Sequence, residues 1–93
     1  MEDLLWWLFV GSRGGINRAR IINLLQKDPY NAYNISEILE LNYKTVKHHL
    51  KLLEDHNIIV TPSKAKYGAL YFLSKEMKAN FQLFERIQEN VIL

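Results

Sequence analysis

Ninety-three residues with 24% charged and 48% hydrophobic side chains suffice for one domain around one core, and no Pro/Gly/Ser-rich stretch divides them. A domain this small buries only about 60–65% of its unfolded surface, which makes further burial against a second copy attractive. The net charge is a modest +2, and the absence of cysteine excludes disulfides, thiolate metal sites and cysteine nucleophiles.

The chain opens on an apolar run, Leu4-Leu5-Trp6-Trp7-Leu8-Phe9-Val10, which predicts an N-terminal helix over 1–11. It is far shorter than the roughly 20 apolar residues that span a bilayer. Acids rather than basic residues precede it, so neither a transmembrane helix nor a signal peptide is expected. Gly11-Ser12-Arg13-Gly14-Gly15 then reads as a flexible break. Asn17 is expected to cap a helix running to about Gln26 with Ile21, Ile22, Leu24 and Leu25 buried, and Asp28-Pro29 ends it. Tyr30 to Tyr33 reads as an extended connection.

Asn34 with Glu37 three residues later fits a capping-box start, and Ile35, Ile38, Leu39 and Leu41 give a short amphipathic helix. Asn42 caps a second helix, Tyr43 to about His56, with Val46, Leu50 and Leu53 at i, i+4 and i+7. Two short helices joined by a tight, polar-capped turn outline a helix-turn-helix. Asn57 suits a left-handed cap. Ile58-Ile59-Val60-Thr61 and Ala69-Leu70-Tyr71-Phe72-Leu73 read as two strands of a hairpin whose tip, 62–68, carries Lys64 and Lys66. Ser74 starts a final helix over 75–93, with Met77, Phe81, Phe84, Ile87 and Val91 along one face. The fold class expected is α+β, mainly α: a winged helix-turn-helix core over 16–74 with a two-stranded wing.

The basic residues are segregated. Arg13, Arg18, Arg20 and Lys27 lie in an acid-free block, as do Lys44, Lys47 and Lys51, and Lys64 and Lys66. On the second helix of the pair, with Val46 at zero, Leu50 and Leu53 fall within about 40°. Lys47, Lys51, Lys44 and His48 fall between about 100° and 200° on the same wheel. An outward face of three lysines and a histidine, on the helix that enters the major groove in a helix-turn-helix, points to phosphates and guanine edges. A solvated lysine face is the plain alternative. The hairpin tip adds two cations able to reach a neighbouring phosphate or the minor groove. Arg13, Arg18 and Arg20 are candidates for flanking phosphate contacts.

His48-His49 does not read as a metal site, because adjacent helical positions diverge by about 100° and no carboxylate or thiolate set completes one. His49 is expected at the edge of the packed side, hydrogen-bonded locally. There is no Gly-rich phosphate loop, no paired acid and base, and no nucleophile with its base, so neither an enzyme nor a cofactor is expected. Apolar side chains at the two ends exceed what a small core covers. Leu5, Trp6, Phe9, Met77, Phe81, Phe84, Ile87 and Val91 are therefore expected at a two-fold dimer interface, which would set two recognition helices about 34 Å apart. Packing of the two end helices on each other within one chain, and docking of the ends on another protein or a membrane surface, are the alternatives.

The stretch Ile35-Ser36-Glu37-Ile38-Leu39-Glu40-Leu41-Asn42-Tyr43-Lys44-Thr45-Val46-Lys47-His48-His49-Leu50-Lys51-Leu52-Leu53-Glu54, with Ile58-Ile59 and Tyr71-Phe72-Leu73-Ser74, resembles the ArsR-like winged-helix regulators over roughly residues 16–74. Its Thr-Val-x-x-His-Leu core is Thr45-Val46 with His49-Leu50. The Arg-Gly-Gly-x-Asn-Arg segment at 13–18 is most similar to small archaeal members. The resemblance implies a cytoplasmic, nucleoid-associated homodimer binding double-stranded DNA. Base and backbone contacts would come from Tyr43, Lys44, Thr45, Lys47 and His48, joined by Lys51 on the same face, and wing contacts from Lys64 and Lys66. The cysteine or histidine clusters of metal-sensing members are missing, so metal response is not implied. A chromosome-coating protein indifferent to sequence and a winged-helix adaptor for other proteins are the rival readings.

Overall fold

The computed structural model describes residues 1–62 and 68–90. Its first helix, α1 (Glu2–Trp6), carries Glu2 and Asp3 in its first turn, where acids complement the helix dipole. It widens into one π-helical turn over Trp7–Gly11, whose open carbonyl at Trp7 accepts from the Ser12 hydroxyl at 2.6 Å. Helix α2 (Gly15–Lys27) begins two residues before the expected Asn17, with Gly14 as its cap. Glycine chemistry accounts for the shift. Gly14 sits at φ +87°, and a Cβ on Gly15 would lie 2.5 Å from the Phe9 carbonyl oxygen. Only this pair lets the chain turn left-handed and lay α2 directly on the backbone of the π turn.

Strand β1 (Tyr30–Asn31) follows Asp28-Pro29 and pairs antiparallel with β3 (Leu70–Leu73), placing Tyr30 opposite Tyr71. The expected connection is thus a third strand, and the sheet order is β1-β3-β2, with β2 (Ile59–Val60) matching Val60 to Phe72. Helix α3 (Ala32–Leu39) starts earlier than expected because Asn31, already extended by the ladder, caps it and accepts from the Asn34 amide at 2.8 Å. At its end Glu40 adopts φ 55°, and the Leu41 amide donates to the Ser36 carbonyl at 3.0 Å, a Schellman closure built on a non-glycine residue. Arg20 donates to the Leu39 carbonyl at 2.9 Å, setting a cation at the negative end of α3.

Helix α4 (Tyr43–Asp55) is capped as expected, Asn42 Oδ1 accepting from the amides of Lys44 at 2.8 Å and Thr45 at 3.3 Å. Such a cap contributes about 1 kcal/mol. Asn57 turns left-handed at φ 59°, with Ile58 N–H on the Leu53 carbonyl. Ser74 caps α5 (Lys75–Ala79), its hydroxyl accepting from the Met77 amide at 3.0 Å. The single final helix expected is broken: Asn80 turns its side chain back to the Glu76 carbonyl at 2.9 Å, and α6 (Phe81–Glu89) restarts after it.

The core joins the ends of the chain. Leu5, Leu8 and Phe9 from the N-terminal segment, Ile21, Ile22 and Leu25 from α2, Val46, Leu50 and Leu53 from α4, and Phe84 and Ile87 from α6 form one buried cluster. The Phe9 and Phe84 rings meet edge to face at 4.8 Å. Asn23 and Gln88 exchange amide hydrogen bonds at 2.7 and 3.3 Å, tying α2 to α6. This packing changes the expectation for the ends. Leu5, Phe9, Met77, Phe84 and Ile87 are covered by their own chain, none more than 3% exposed, because α1 and the π turn lie against α6. Trp6 and Phe81 are half-buried on the same packing, and Val91 lies outside the described residues.

Candidate nucleic-acid interface

Helix α4 separates its two sides cleanly. Val46, His49, Leu50 and Leu53 are buried, whereas Tyr43, Lys44, Thr45, Lys47, His48 and Lys51 are all exposed. The six α4 residues singled out in the sequence therefore share one solvent-facing side. Over its first three turns that side carries no acid. Lys51 is the exception in availability: its ammonium donates to Asp55 one turn on at 2.9 Å. That hydrogen bond raises the Lys51 pKa and leaves Lys44 and Lys47 as the cations of the helix's first half. Lys64 and Lys66 fall outside the described residues.

The arginines of 13–20 divide by role. Arg13 is exposed. Arg20 is exposed but bound to Asn17 Oδ1 and the Leu39 carbonyl, so it braces the entry to the helix-turn-helix. Arg18 is only 2% exposed and is not available to a phosphate. Its Nε donates to the Leu8 carbonyl at 2.8 Å, Nη2 to the Ser12 hydroxyl at 2.5 Å, and Nη1 faces His49 Nδ1 at 3.3 Å. His49 is thus not a locally bonded edge residue: it reaches across to α2. Burial, then the charges of Arg18 and His48, hold its imidazole below the ordinary histidine range. Among the described residues every buried side-chain donor or acceptor has a partner.

This Ser12–Arg18–His49 network was missed in reading the face of α4, although the Arg-Gly-Gly-x-Asn-Arg segment and the His of Thr-Val-x-x-His-Leu mark its two sides. Gly14 belongs to it as well, since a Cβ there would lie 2.6 Å from His49 Cε1. No group of three His, Cys, Asp or Glu among the described residues could hold a metal ion. None of the described helices is long and apolar enough to cross a membrane.

Residues 17–61, running from α2 through β2, match the family model of the bacterial regulatory protein, arsR family. Over that stretch the chain is similar to the ArsR-like winged-helix regulators of transcription. Its fold is shared with reduced HlyU from Vibrio cholerae at a TM-score of 0.68 and 23% identity, over 92% of this chain and 87% of that one. Diamide-treated YodB from B. subtilis gives a TM-score of 0.71 and 25% identity, over 96% of this chain and 86% of that one. Lactococcus lactis ZitR, solved in complex with DNA, gives 0.63 and 19% over 78% of this ArsR-like chain and 51% of its own. No curated protein matches the sequence. In this fold α3 and α4 form the helix-turn-helix, with α4 its second helix, and β2 and β3 pair antiparallel beside it.

Proposed function

We propose that the ArsR-like chain acts as a homodimer that occupies double-stranded DNA in the cytoplasm, on the nucleoid, and performs no catalysis. Recognition helix α4 enters the major groove with Tyr43, Lys44, Thr45, Lys47, His48 and Lys51, and the wing tip 62–68 sets Lys64 and Lys66 on the adjacent backbone or minor groove. The observation that carries this reading is the acid-free, exposed side of α4 from Tyr43 to Lys51, presented by a helix whose opposite side is locked in the core. Cations on such a side meet both phosphates and guanine edges.

The test is selection of bound duplexes from a random pool, followed by anisotropy with single variants. A recovered palindrome with half-sites about one helical turn apart is expected. Binding without enrichment would instead mark a protein that coats DNA indifferently. Lys44→Ala and Lys47→Ala should each cost about 1–3 kcal/mol where the lysine reads a base, and should lower the salt slope by about one where it neutralises a phosphate. Unchanged affinity in both variants sinks the groove assignment.

The dimer is supported by apolar surface left over on the N-terminal segment. Met1, Trp7 and Val10 are exposed, and Leu4, Trp6, Phe81 and Leu83 are half-buried at the edge of the core. Because Phe84 is spent in the chain's own core, the informative change is Trp7→Glu. It should turn a dimer into a monomer in sedimentation, and a variant that still sediments as a dimer would move the interface elsewhere.

A further inference from the structure

Arg18 and His49 stand apart from the rest of the interior. They form a buried pair of basic side chains, 2% and 6% exposed, with no carboxylate among the described residues bonded to either. The guanidinium can only donate, so His49 Nδ1 must accept from it and the ring proton sits on Nε2. Arg18 spends its remaining contacts on the π turn and the loop after it, through the Leu8 carbonyl and Ser12, whose hydroxyl in turn donates to the Trp7 carbonyl. One residue of the recognition helix is thereby tied to the whole N-terminal segment through a single acceptor nitrogen.

We propose that the Arg18–His49 pair is a proton-operated latch on the recognition helix: with His49 neutral it holds α4 in the attitude that engages DNA, and protonation of His49 releases the helix. The inference rests on α4 being the DNA-reading helix. Adding a proton to Nδ1 destroys the only acceptor facing Arg18 Nη1 and sets two cations 3.3 Å apart in a site largely closed to water. The groups that bear on the imidazole are all basic. Arg18 faces it from α2, and His48 lies on its own helix with ring centres 6.0 Å apart. The π turn brings no titratable side chain, and the loop at 12–14 brings only Arg13, which is exposed. Among the described residues no acid faces the imidazole to compensate the new charge, so α4 moves away from Arg18.

The direction of the pH effect follows. The latched state disfavours the proton, while a released imidazole returns to about 6.5. The latched state therefore binds fewer protons, is favoured above that value and is lost as pH falls through it.

The experiment is anisotropy of a selected duplex from about pH 8 to about pH 5.5, comparing wild type with His49→Asn, whose Oδ1 takes the place of Nδ1 as acceptor without titrating. Wild-type Kd should rise by up to about tenfold for each pH unit below about 6.5 while the variant stays flat. A wild type whose affinity is flat or increases in acid, or a variant that weakens in parallel, overturns the latch. Should His49→Asn fail to fold, NMR titration of the wild-type imidazoles decides. Protonation of His49 must shift amide signals in both α4 and residues 12–18; protonation that leaves those signals in place overturns the proposal. If no duplex binds at any pH the DNA reading falls, and the NMR titration still settles the latch.

Discussion

Phe84→Ala is expected to remove about 3–5 kcal/mol of unfolding free energy, a large part of the roughly 5–15 kcal/mol available to a domain. Phe84 is fully buried and touches Phe9 edge to face at 4.8 Å and Phe81 at 5.3 Å. It thus bridges α6 to the π turn at the other end of the chain. The hole left by truncation is walled by separate elements that cannot all relax inward, which places the cost in the upper range for a core aromatic. Urea unfolding followed by tryptophan fluorescence measures it, and the loss should be the same at low and high protein concentration. A loss under about 1 kcal/mol would mean that the two ends do not pack on each other within one chain.

Gly15→Ala is expected to cost about 3 kcal/mol, out of proportion to one methyl group. The added Cβ would meet not a flexible side chain but the Phe9 backbone, at 2.5 Å from its oxygen and 2.7 Å from its carbonyl carbon. Relief requires α2 to lift off the π turn, loosening Ile21 and Ile22 beneath it. Gly11→Ala is the internal comparison. Its Cβ would find only the Trp6 carbonyl, at 3.6 Å, an ordinary contact, so its midpoint in urea should stay close to wild type. A Gly15→Ala variant as stable as Gly11→Ala would show that close approach to the Phe9 backbone does not set the effect.

What could be read from the residues alone follows the range of the interactions. Asn42 and Ser74 cap helices through amides two or three residues away, so their sequence neighbourhood is enough. Val46, Leu50 and Leu53 mark the buried side of α4 by spacing, and the exposed side follows from them. Asn17 and Asn34 looked equally good as caps. Gly14 and Asn31 displaced them because the chain arrives at those points already shaped, by the close approach to Phe9 and by the ladder with β3. Neither influence is local. The break at Asn80 interrupts an apolar stripe that runs through it without a gap, and only the return of its side chain to Glu76 marks the stop. His49 sat at the packed edge on a helical wheel, but a wheel cannot show an arginine 31 positions earlier.

The surplus of apolar residues at the ends was visible, and its remedy was not. The same side chains could have been covered by a partner or by one another, and the structure covers Leu5, Phe9, Phe84 and Ile87 with one another. That distinction depends on how α2 and α6 are held, through Asn23 and Gln88 among others, and no periodicity carries it.

The joining of the two ends has a consequence for the chain as it leaves the ribosome. Asn23 waits for Gln88, 65 positions on, and the N-terminal segment with Leu5, Leu8 and Phe9 waits for Phe84 and Ile87. The helix-turn-helix, whose contacts are close in sequence, is complete well before either arrives, since contacts between distant positions close late. Until residues 81–89 have been made, the apolar stretch with Trp6 and Trp7 therefore lacks the Phe84 and Ile87 side chains that it packs with. In that interval the stretch presents apolar surface that the finished fold hides.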